Sequence, residues 1–284
     1  MKRGWGRRQN MKQNMKRKPY LSAFVLTVII SCCLLAKVIA PFGSTEMDPG
    51  AVSMAPGAGH IFGTDAMGRD LFSMLLYGGR ASIYIGLMAA AVSTVIAVVY
   101  GAVSGMAGRT ADSMMMGFAE LVMSVPSILL ILFLQAIWGN PSATSIALAI
   151  GLTGWMNMAK VVRSEVRQIG KSDYILAART MGADFGYILK KHLLPNFISS
   201  IMYMVVTAIG QAMITESTLS FLGLGLPLTT VSWGSLMSMS ESVLLSNCWW
   251  LIVIPASVLV TTLVCLTQLG EYIRKENNRL HSNL

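Results

Sequence analysis

Six apolar segments, each about as long as a membrane-spanning helix, limit what this sequence can fold into. A helix needs about 20 predominantly apolar residues to cross a bilayer. Because lipid offers no hydrogen bonds to the backbone, such segments must be helical, and the sequence predicts an all-α membrane protein. The segments are 20–41, 82–106, 114–137, 142–162, 198–222 and 248–269.

The composition excludes an ordinary soluble domain. Hydrophobic residues make up 54% of the chain and charged residues only 12%, whereas soluble domains carry about 25% charged residues. The net charge of +9 could indicate nucleic-acid binding, but the cations cluster between the apolar segments and do not follow a binding face. We therefore expect the lipid bilayer, and not nucleic acid, to be the chain's environment.

The distribution of Lys and Arg predicts the topology. Eighteen of the 22 lie in alternate connections or in the two tails, Lys160 lies at the adjoining end of the fourth segment, and the first 18 residues carry eight cations and no acid. Cytoplasmic loops retain such an excess, so both termini are expected in the cytoplasm. The predicted parts are a cytoplasmic tail (1–19), a first span (20–41), an extracytoplasmic loop (42–80), a five-helix core (81–270) with a cytoplasmic loop at 163–197, and a second cytoplasmic tail (271–284).

The first apolar segment has an alternative interpretation as a cleaved signal peptide. It follows a basic region, and small residues stand near Ala36 and Ala40, where cleavage would occur. Its removal would leave five spans, place the N-terminus outside and discard the strongest inner anchor. The loop charges therefore favour a retained span.

Residues 173–196 predict a short helical elbow between the fourth and fifth segments. Gly182 can end a first helix in the left-handed conformation, and Asp184 can cap a second helix that must finish before Pro195. Apolar residues lie between cations, so the elbow is expected to enter water and to keep an apolar face for a partner.

A second polar motif lies in the first loop. Its residues are Gly63, Thr64, Asp65, Gly68, Arg69 and Asp70. Gly63 and Gly68 permit tight turns, Asp65 can bind backbone amides, and Asp70 can cap a short amphipathic helix along the outer surface. A docking surface for a partner is a compatible second interpretation.

The sequence predicts no catalytic centre and no bound cofactor. Gly170-Lys171-Ser172 resembles the end of a phosphate-binding loop, but Glu165 occupies the position of the required glycine. Four scattered cysteines and three histidines show no metal-ligand spacing. An enzyme is therefore disfavoured, and any ATP would be hydrolysed elsewhere.

Two acids fall within apolar segments, where a charged group suggests function. Glu120 lies near the inner end of its helix, which favours an interfacial or capping role. Glu216 lies deeper, and both a functional contact and a hydrogen bond to a neighbouring helix remain open. Glu216, Ser220 and Phe221 are candidates for the pathway or an outer gate.

The elbow resembles the coupling loop of ABC importer permeases. Ala177, Ala178, Gly182, Leu194 and Pro195 match its spacing, whereas Leu176 replaces the usual glutamate and His192 the usual isoleucine. The resemblance implies that this loop contacts an ATPase. The implied contact residues are Tyr174, Leu176, Ala177, Ala178, Met181, Gly182, Ala183, Leu194 and Pro195.

Two further segments are similar to the C-type permeases of the dipeptide, oligopeptide and nickel branch. They are the 63–70 motif, and residues 216–225 followed by Ser232-Trp233-Gly234. The resemblance implies the type I importer permease fold with six transmembrane helices in the bacterial inner membrane. It also implies a homologous second permease, two cytoplasmic ATPase subunits that hold ATP and Mg²⁺, and an extracytoplasmic solute-binding protein.

The resemblance leaves the substrate open between peptides and nickel or a metal chelate. A different class, an ion-coupled secondary transporter, would use Glu216 as the coupling site and would need no ATPase.

Overall fold

The computed structural model describes residues 19–227, 229–239 and 248–282, and these residues are helical apart from their connections and one isolated bridge between Thr64 and Asp70. The α-helices of this described part are α1 (Tyr20–Leu34), α2 (Ala36–Ile39), α3 (Leu71–Met106), α4 (Arg109–Ser124), α5 (Ser127–Trp138), α6 (Ala143–Thr153), α7 (Met156–Ile169), α8 (Asp173–Thr180), α9 (Phe185–Ile188), α10 (Leu194–Phe221), α11 (Trp233–Ser238) and α12 (Trp250–Ser282). A π-helical turn, Leu189–Leu193, joins α9 to α10.

The central element is α3, which contacts α1, α6, α7 and α10. Its 36 residues give it a length of about 54 Å, well beyond the roughly 30 Å of a bilayer's hydrocarbon core. Small residues allow close packing, as expected: a Cβ at Gly101 would lie 2.5 Å from the Ala159 carbonyl oxygen of α7.

One difference from the sequence prediction concerns the start of α3. Residues 71–80 do not form a separate amphipathic helix on the outer surface, because they are the first turns of α3. They are also largely buried, since Leu71, Met74 and Leu75 belong to the same core as Trp233. Packing against other helices therefore stabilises residues 71–80 as part of α3, although the local sequence pattern predicts a separate helix there.

Two of the predicted spans are bent helix pairs. The segment at 114–137 breaks at Val125 and Pro126, and α4 and α5 meet there at 87°. The segment at 142–162 breaks at Gly154, where α6 and α7 meet at 47°. In the described part, two helices are long and apolar enough to cross a membrane, α3 and α12, and four if each bent pair forms one span.

The two ends of the chain also depart from the predicted bounds. The first helix ends at Leu34, so α1 has 15 residues, and α2 continues it only after a break at Leu35. The last helix continues to Ser282, which makes 271–282 part of α12. Residues 1–18, which carry the basic tail, lie outside the described part.

Among the described residues, three hydrophobic clusters hold the helices together. The first joins α1, α3, α11 and α12 around the fully buried Trp233. The second joins the end of α3 to α7 and the elbow, and the third joins α5, α6 and α10. The elbow and the 63–70 motif therefore lie at opposite ends of α3, each on its own cluster.

Candidate functional site

The elbow, residues 173–196, has the predicted break between its helices. α8 ends before Gly182, whose φ of +85° is the left-handed conformation, and the carboxylate of Asp184 accepts hydrogen bonds from the backbone N–H of Gly186 and Tyr187. The second helix, α9, ends at Ile188, before Pro195 as expected, but the chain stays helical beyond it. The π-helical turn leads directly into α10, where Pro195 occupies the first turn and its missing N–H is tolerated.

The elbow has one buried face and one exposed face. Ile175, Ile188 and Leu193 are buried in the cluster that contains Val162 and Val166 of α7. The side chain of Met181 is 87% exposed, and Ala177, Gly182 and Tyr187 are also exposed. The elbow is thus anchored to α7 and presents apolar side chains outward, which suits contact with another protein.

The nine residues implied as coupling contacts divide in the same way. Ala177, Met181 and Gly182 lie on the exposed face, while Ala178 and Ala183 are half-buried. The backbones of the remaining four follow the helices described above, but their side chains lie outside the described part of the structure. These four are Tyr174, Leu176, Leu194 and Pro195.

A buried ion-pair cluster joins α3, α4 and α7 just above the elbow. Asp112 is only 3% exposed; its carboxylate pairs with both Arg163 and Arg167, the latter at 2.6 Å. The hydroxyl of Ser104 donates to the same carboxylate at 2.6 Å. We missed this cluster in the sequence, although an acid between cationic segments could have indicated it.

At the other end of α3, the 63–70 motif is a rigid turn. The carboxylate of Asp65 accepts hydrogen bonds from the backbone N–H of Met67 and Arg69 and pairs with the Arg69 guanidinium at 2.6 Å. Gly63 and Gly68 have φ values of +79° and +75°, and a Cβ at Gly68 would lie 2.0 Å from the Asp48 carbonyl oxygen. These contacts confirm the interpretation of the motif as a turn.

The motif also fixes the start of α3 and contacts the last helix. Asp70 caps α3 by accepting from the backbone N–H of Ser73 at 2.8 Å, as predicted, and its other oxygen lies 2.9 Å from Nδ1 of His60. Thr64 is fully buried, and its carbonyl oxygen accepts from the Trp250 indole N–H at 3.2 Å. The motif is therefore part of the helix packing as well as of the loop.

Glu216 lies in a buried polar network, which favours the interpretation that this acid forms hydrogen bonds between helices over a contact with the substrate. Its carboxyl group accepts hydrogen bonds from the hydroxyls of Ser220, at 2.8 Å, and of Ser82 on α3, at 3.3 Å. The Ser82 hydroxyl in turn accepts from the backbone N–H of Trp233 at 3.2 Å. Glu216 is fully buried and Ser220 is buried, whereas Phe221 is 41% exposed.

Glu120, the other acid within a predicted apolar segment, lies on the surface of the protein. Its carboxylate is exposed and forms an ion pair of 3.2 Å with the ammonium group of Lys160.

The two helix breaks open on a shared cavity of about 470 Å³ between α4, α5, α6, α7 and α10. Its lining residues are Met123, Val125, Pro126, Ser127, Leu130, Ile131, Ile150, Thr153, Gly154, Met156, Asn157, Gln211 and Thr215. All the polar side chains among them are uncharged. Glu216 and Ser220 do not line it. Sequence reasoning did not find this site, although Pro126 inside an apolar run could have indicated the first break.

Apolar helices long enough to span a bilayer, two helix breaks around a polar cavity and an exposed elbow together define a membrane transport protein. The chain belongs to the family described as "Binding-protein-dependent transport system inner membrane component", which residues 97–276 match.

Named transport proteins resemble nearly the whole chain. The dipeptide transport system permease protein DppC of Bacillus subtilis is 35% identical over 248 residues, which cover 87% of this chain and 77% of DppC. The oligopeptide transport system permease protein OppC of the same organism is 35% identical over 89% of this chain and 83% of its own length. OppC of Haemophilus influenzae is 33% identical over 89% and 81%.

Proposed function

We propose that this chain is a transmembrane permease subunit of an ATP-driven, binding-protein-dependent importer of peptides. The observation that carries the proposal is the elbow, whose buried residues fix it to α7 and whose other face presents Ala177 and Met181 to solvent. The family supports the transport role, and the peptide substrate is inferred from relatives named as dipeptide and oligopeptide permeases.

The proposed assembly contains a homologous second permease, two cytoplasmic ATPase subunits and an extracytoplasmic solute-binding protein. The chain would cross the bacterial inner membrane six times, with both termini and the elbow in the cytoplasm. The excess of Lys and Arg in the tails and alternate loops supports this orientation.

In this proposal, closure of the ATPase pair moves the elbow, and the elbow moves α7 and α10. The buried side chains of Ile175, Ile188 and Leu193 transmit the movement because they pack in the same cluster as Val166. The ion pairs of Asp112 with Arg163 and Arg167 extend the rigid unit to α4. ATP drives transport when the two conformations bind the peptide with different affinity.

The test is uptake by proteoliposomes that contain the complete transporter. We expect uptake of a labelled peptide only when ATP is on the elbow side and the binding protein is on the opposite side. Uptake driven by a proton or sodium gradient without ATPase subunits would identify a secondary transporter. ATP-dependent uptake of nickel chelates instead of peptides would support the assignment as a permease subunit but refute the assignment of peptides as the substrate.

A further inference from the structure

The cavity between the two helix breaks has the chemistry of a site for a neutral polar chain. Its volume of about 470 Å³ lies within the range of about 300–1,000 Å³ that is usual for small-ligand sites. Its lining combines apolar residues with five uncharged polar ones, and includes no Asp, Glu, Lys, Arg, His or Cys. The uncharged polar residues are Ser127, Thr153, Asn157, Gln211 and Thr215.

The polar side chains that line the cavity differ in whether they already have a hydrogen-bond partner within the protein. The hydroxyl of Thr153 donates to the Ala149 carbonyl oxygen, and that of Thr215 donates to the carbonyl oxygen of Gln211. By contrast, the side-chain amides of Asn157 and Gln211 have no hydrogen-bond partner among the described residues, and both residues are exposed to the cavity. Each amide therefore has a free N–H₂ donor and a free carbonyl acceptor.

The helix breaks explain why such a cavity exists at this place. Backbone that is not helical is tolerated at membrane depth only where it is buried in protein or lines a water-filled cavity. Pro126 has no N–H, Gly154 interrupts the second helix pair, and residues of both breaks line the same space. Two independent interruptions that meet at one cavity indicate a place for a polar guest.

We infer that this cavity is a transient binding site for the main chain of the transported peptide, with the amides of Asn157 and Gln211 as its principal contacts. Each peptide unit offers one N–H donor and one C=O acceptor, which an amide side chain can match at once. An uncharged lining accepts peptides with acidic or basic side chains equally. The inference rests on the proposed function and adds the atoms that hold the substrate.

The experiment uses the complete transporter in proteoliposomes. We expect the double variant Asn157→Leu with Gln211→Leu to lower peptide uptake by about tenfold or more, since each lost hydrogen bond costs roughly fivefold. The amount of assembled complex should stay within about twofold of that of the unmodified protein, because neither residue lies in the elbow.

The chain provides a matched pair of threonines as a control. Thr215 and Thr218 lie on α10, and each hydroxyl donates to the carbonyl oxygen four residues earlier, but only Thr215 lines the cavity. Thr215→Val should lower uptake about threefold to fivefold through loss of a hydroxyl acceptor, whereas Thr218→Val should leave uptake unchanged. Equal effects of the two substitutions would overturn the inference.

A modified substrate tests main-chain recognition directly. In an ester analogue of the peptide, one N–H donor is replaced by oxygen, and an analogue of known affinity for the binding protein allows uptake to be compared. The loss caused by the double variant should be several-fold smaller with this analogue, because one contact is already absent. The same loss with both substrates would contradict main-chain recognition.

The outcomes separate the two proposals. If the unmodified transporter takes up peptides with ATP and the cavity variants match it, the cavity inference fails and the proposed function stands. If the unmodified transporter takes up no peptide, both proposals fail together.

Discussion

Thr215 and Glu216 are neighbours on α10 but face different surroundings. The side chain of Thr215 lines the cavity at the helix breaks, whereas that of Glu216 is fully buried and bonds to Ser82 of α3. Successive residues of a helix point about 100° apart, so one turn of α10 serves both the cavity and the packing. The intramembrane acid therefore holds helices together beside the proposed pathway.

Replacement of Glu216 should destabilise the fold. Glu216→Leu removes the acceptor of the Ser82 and Ser220 hydroxyls, and an unsatisfied buried polar group costs about 1–3 kcal/mol. Thermal unfolding of the detergent-purified complex should show a lower midpoint. Glu120→Gln is the control: its exposed ion pair with Lys160 should contribute less than about 1 kcal/mol. Equal midpoints for the two variants would refute the structural role of Glu216.

Gly182→Val should impair the proposed contact between the elbow and the ATPase without preventing insertion. The Gly182 φ of +85° strains a β-branched residue by about 1–3 kcal/mol, although no atom lies within 4 Å of the added Cβ. Binding-protein-stimulated ATPase activity and uptake should both fall by about tenfold or more, since 1.4 kcal/mol corresponds to tenfold.

Gly139 provides the matched control for Gly182. It has a φ of +73° and the same open space around its Cβ position, but it ends α5 and not the elbow. Gly139→Val should carry similar strain and leave ATPase stimulation intact. If both variants lost stimulation equally, backbone strain in general, and not the elbow, would be responsible.

Ala178→Glu tests the elbow face through charge. Ala178 is half-buried beside the exposed Ala177, so a carboxylate there would disturb the apolar contact that we propose with the ATPase. Uptake and stimulated ATPase activity should fall together by about tenfold, while the amount of inserted permease stays constant. Normal activity of this variant and of Gly182→Val would show that the elbow does not contact the ATPase.

Gly68→Ala should disrupt the 63–70 motif. The added Cβ would lie 2.0 Å from the Asp48 carbonyl oxygen in a backbone conformation that alanine disfavours, and we expect a loss of at least about 2 kcal/mol in stability. Gly59, in the same loop, has no atom within 4 Å of its Cβ position. Gly59→Ala should be neutral in the same thermal assay, and a comparable loss would contradict the argument from packing.

Asp112 should contribute more to the stability of the protein than Arg167 does. Asp112→Asn weakens both ion pairs at once, whereas Arg167→Gln leaves the contact of Asp112 with Arg163 in place. We expect Asp112→Asn to lower the free energy of unfolding by about 1–3 kcal/mol and Arg167→Gln to lower it by less than about 1 kcal/mol. Thermal midpoints of the two complexes provide the comparison, and an equal or larger loss for Arg167→Gln would show that the cluster does not centre on Asp112.

Local patterns in the sequence were sufficient for several features. The left-handed position of Gly182, the cap of α3 by Asp70 and the hydrogen bonds of Asp65 were all predicted and are all present. Each depends on the backbone conformation or hydrogen bonding of residues only a few positions apart. Such features can be read from the sequence because residues close in the chain determine them.

The bounds and bends of the helices were less predictable. Residues 71–80 extend α3 because Leu71 and Met74 belong to the same hydrophobic cluster as Trp233, which lies far away in the sequence. The 87° bend at Pro126 divides one apolar run into two helices, and hydropathy does not distinguish a straight span from a bent one.

Apolar length, glycine conformation and capping are local properties, and they suffice to predict an all-α membrane protein with an elbow at Gly182. Where the polar side chains meet depends instead on how the helices pack. Asn157 and Gln211 share a cavity, Asp112 joins Arg163, and Glu216 bonds to Ser82, because helices distant in sequence pack side by side. Sequence periodicity shows which face of a helix is polar but not which neighbour that face meets.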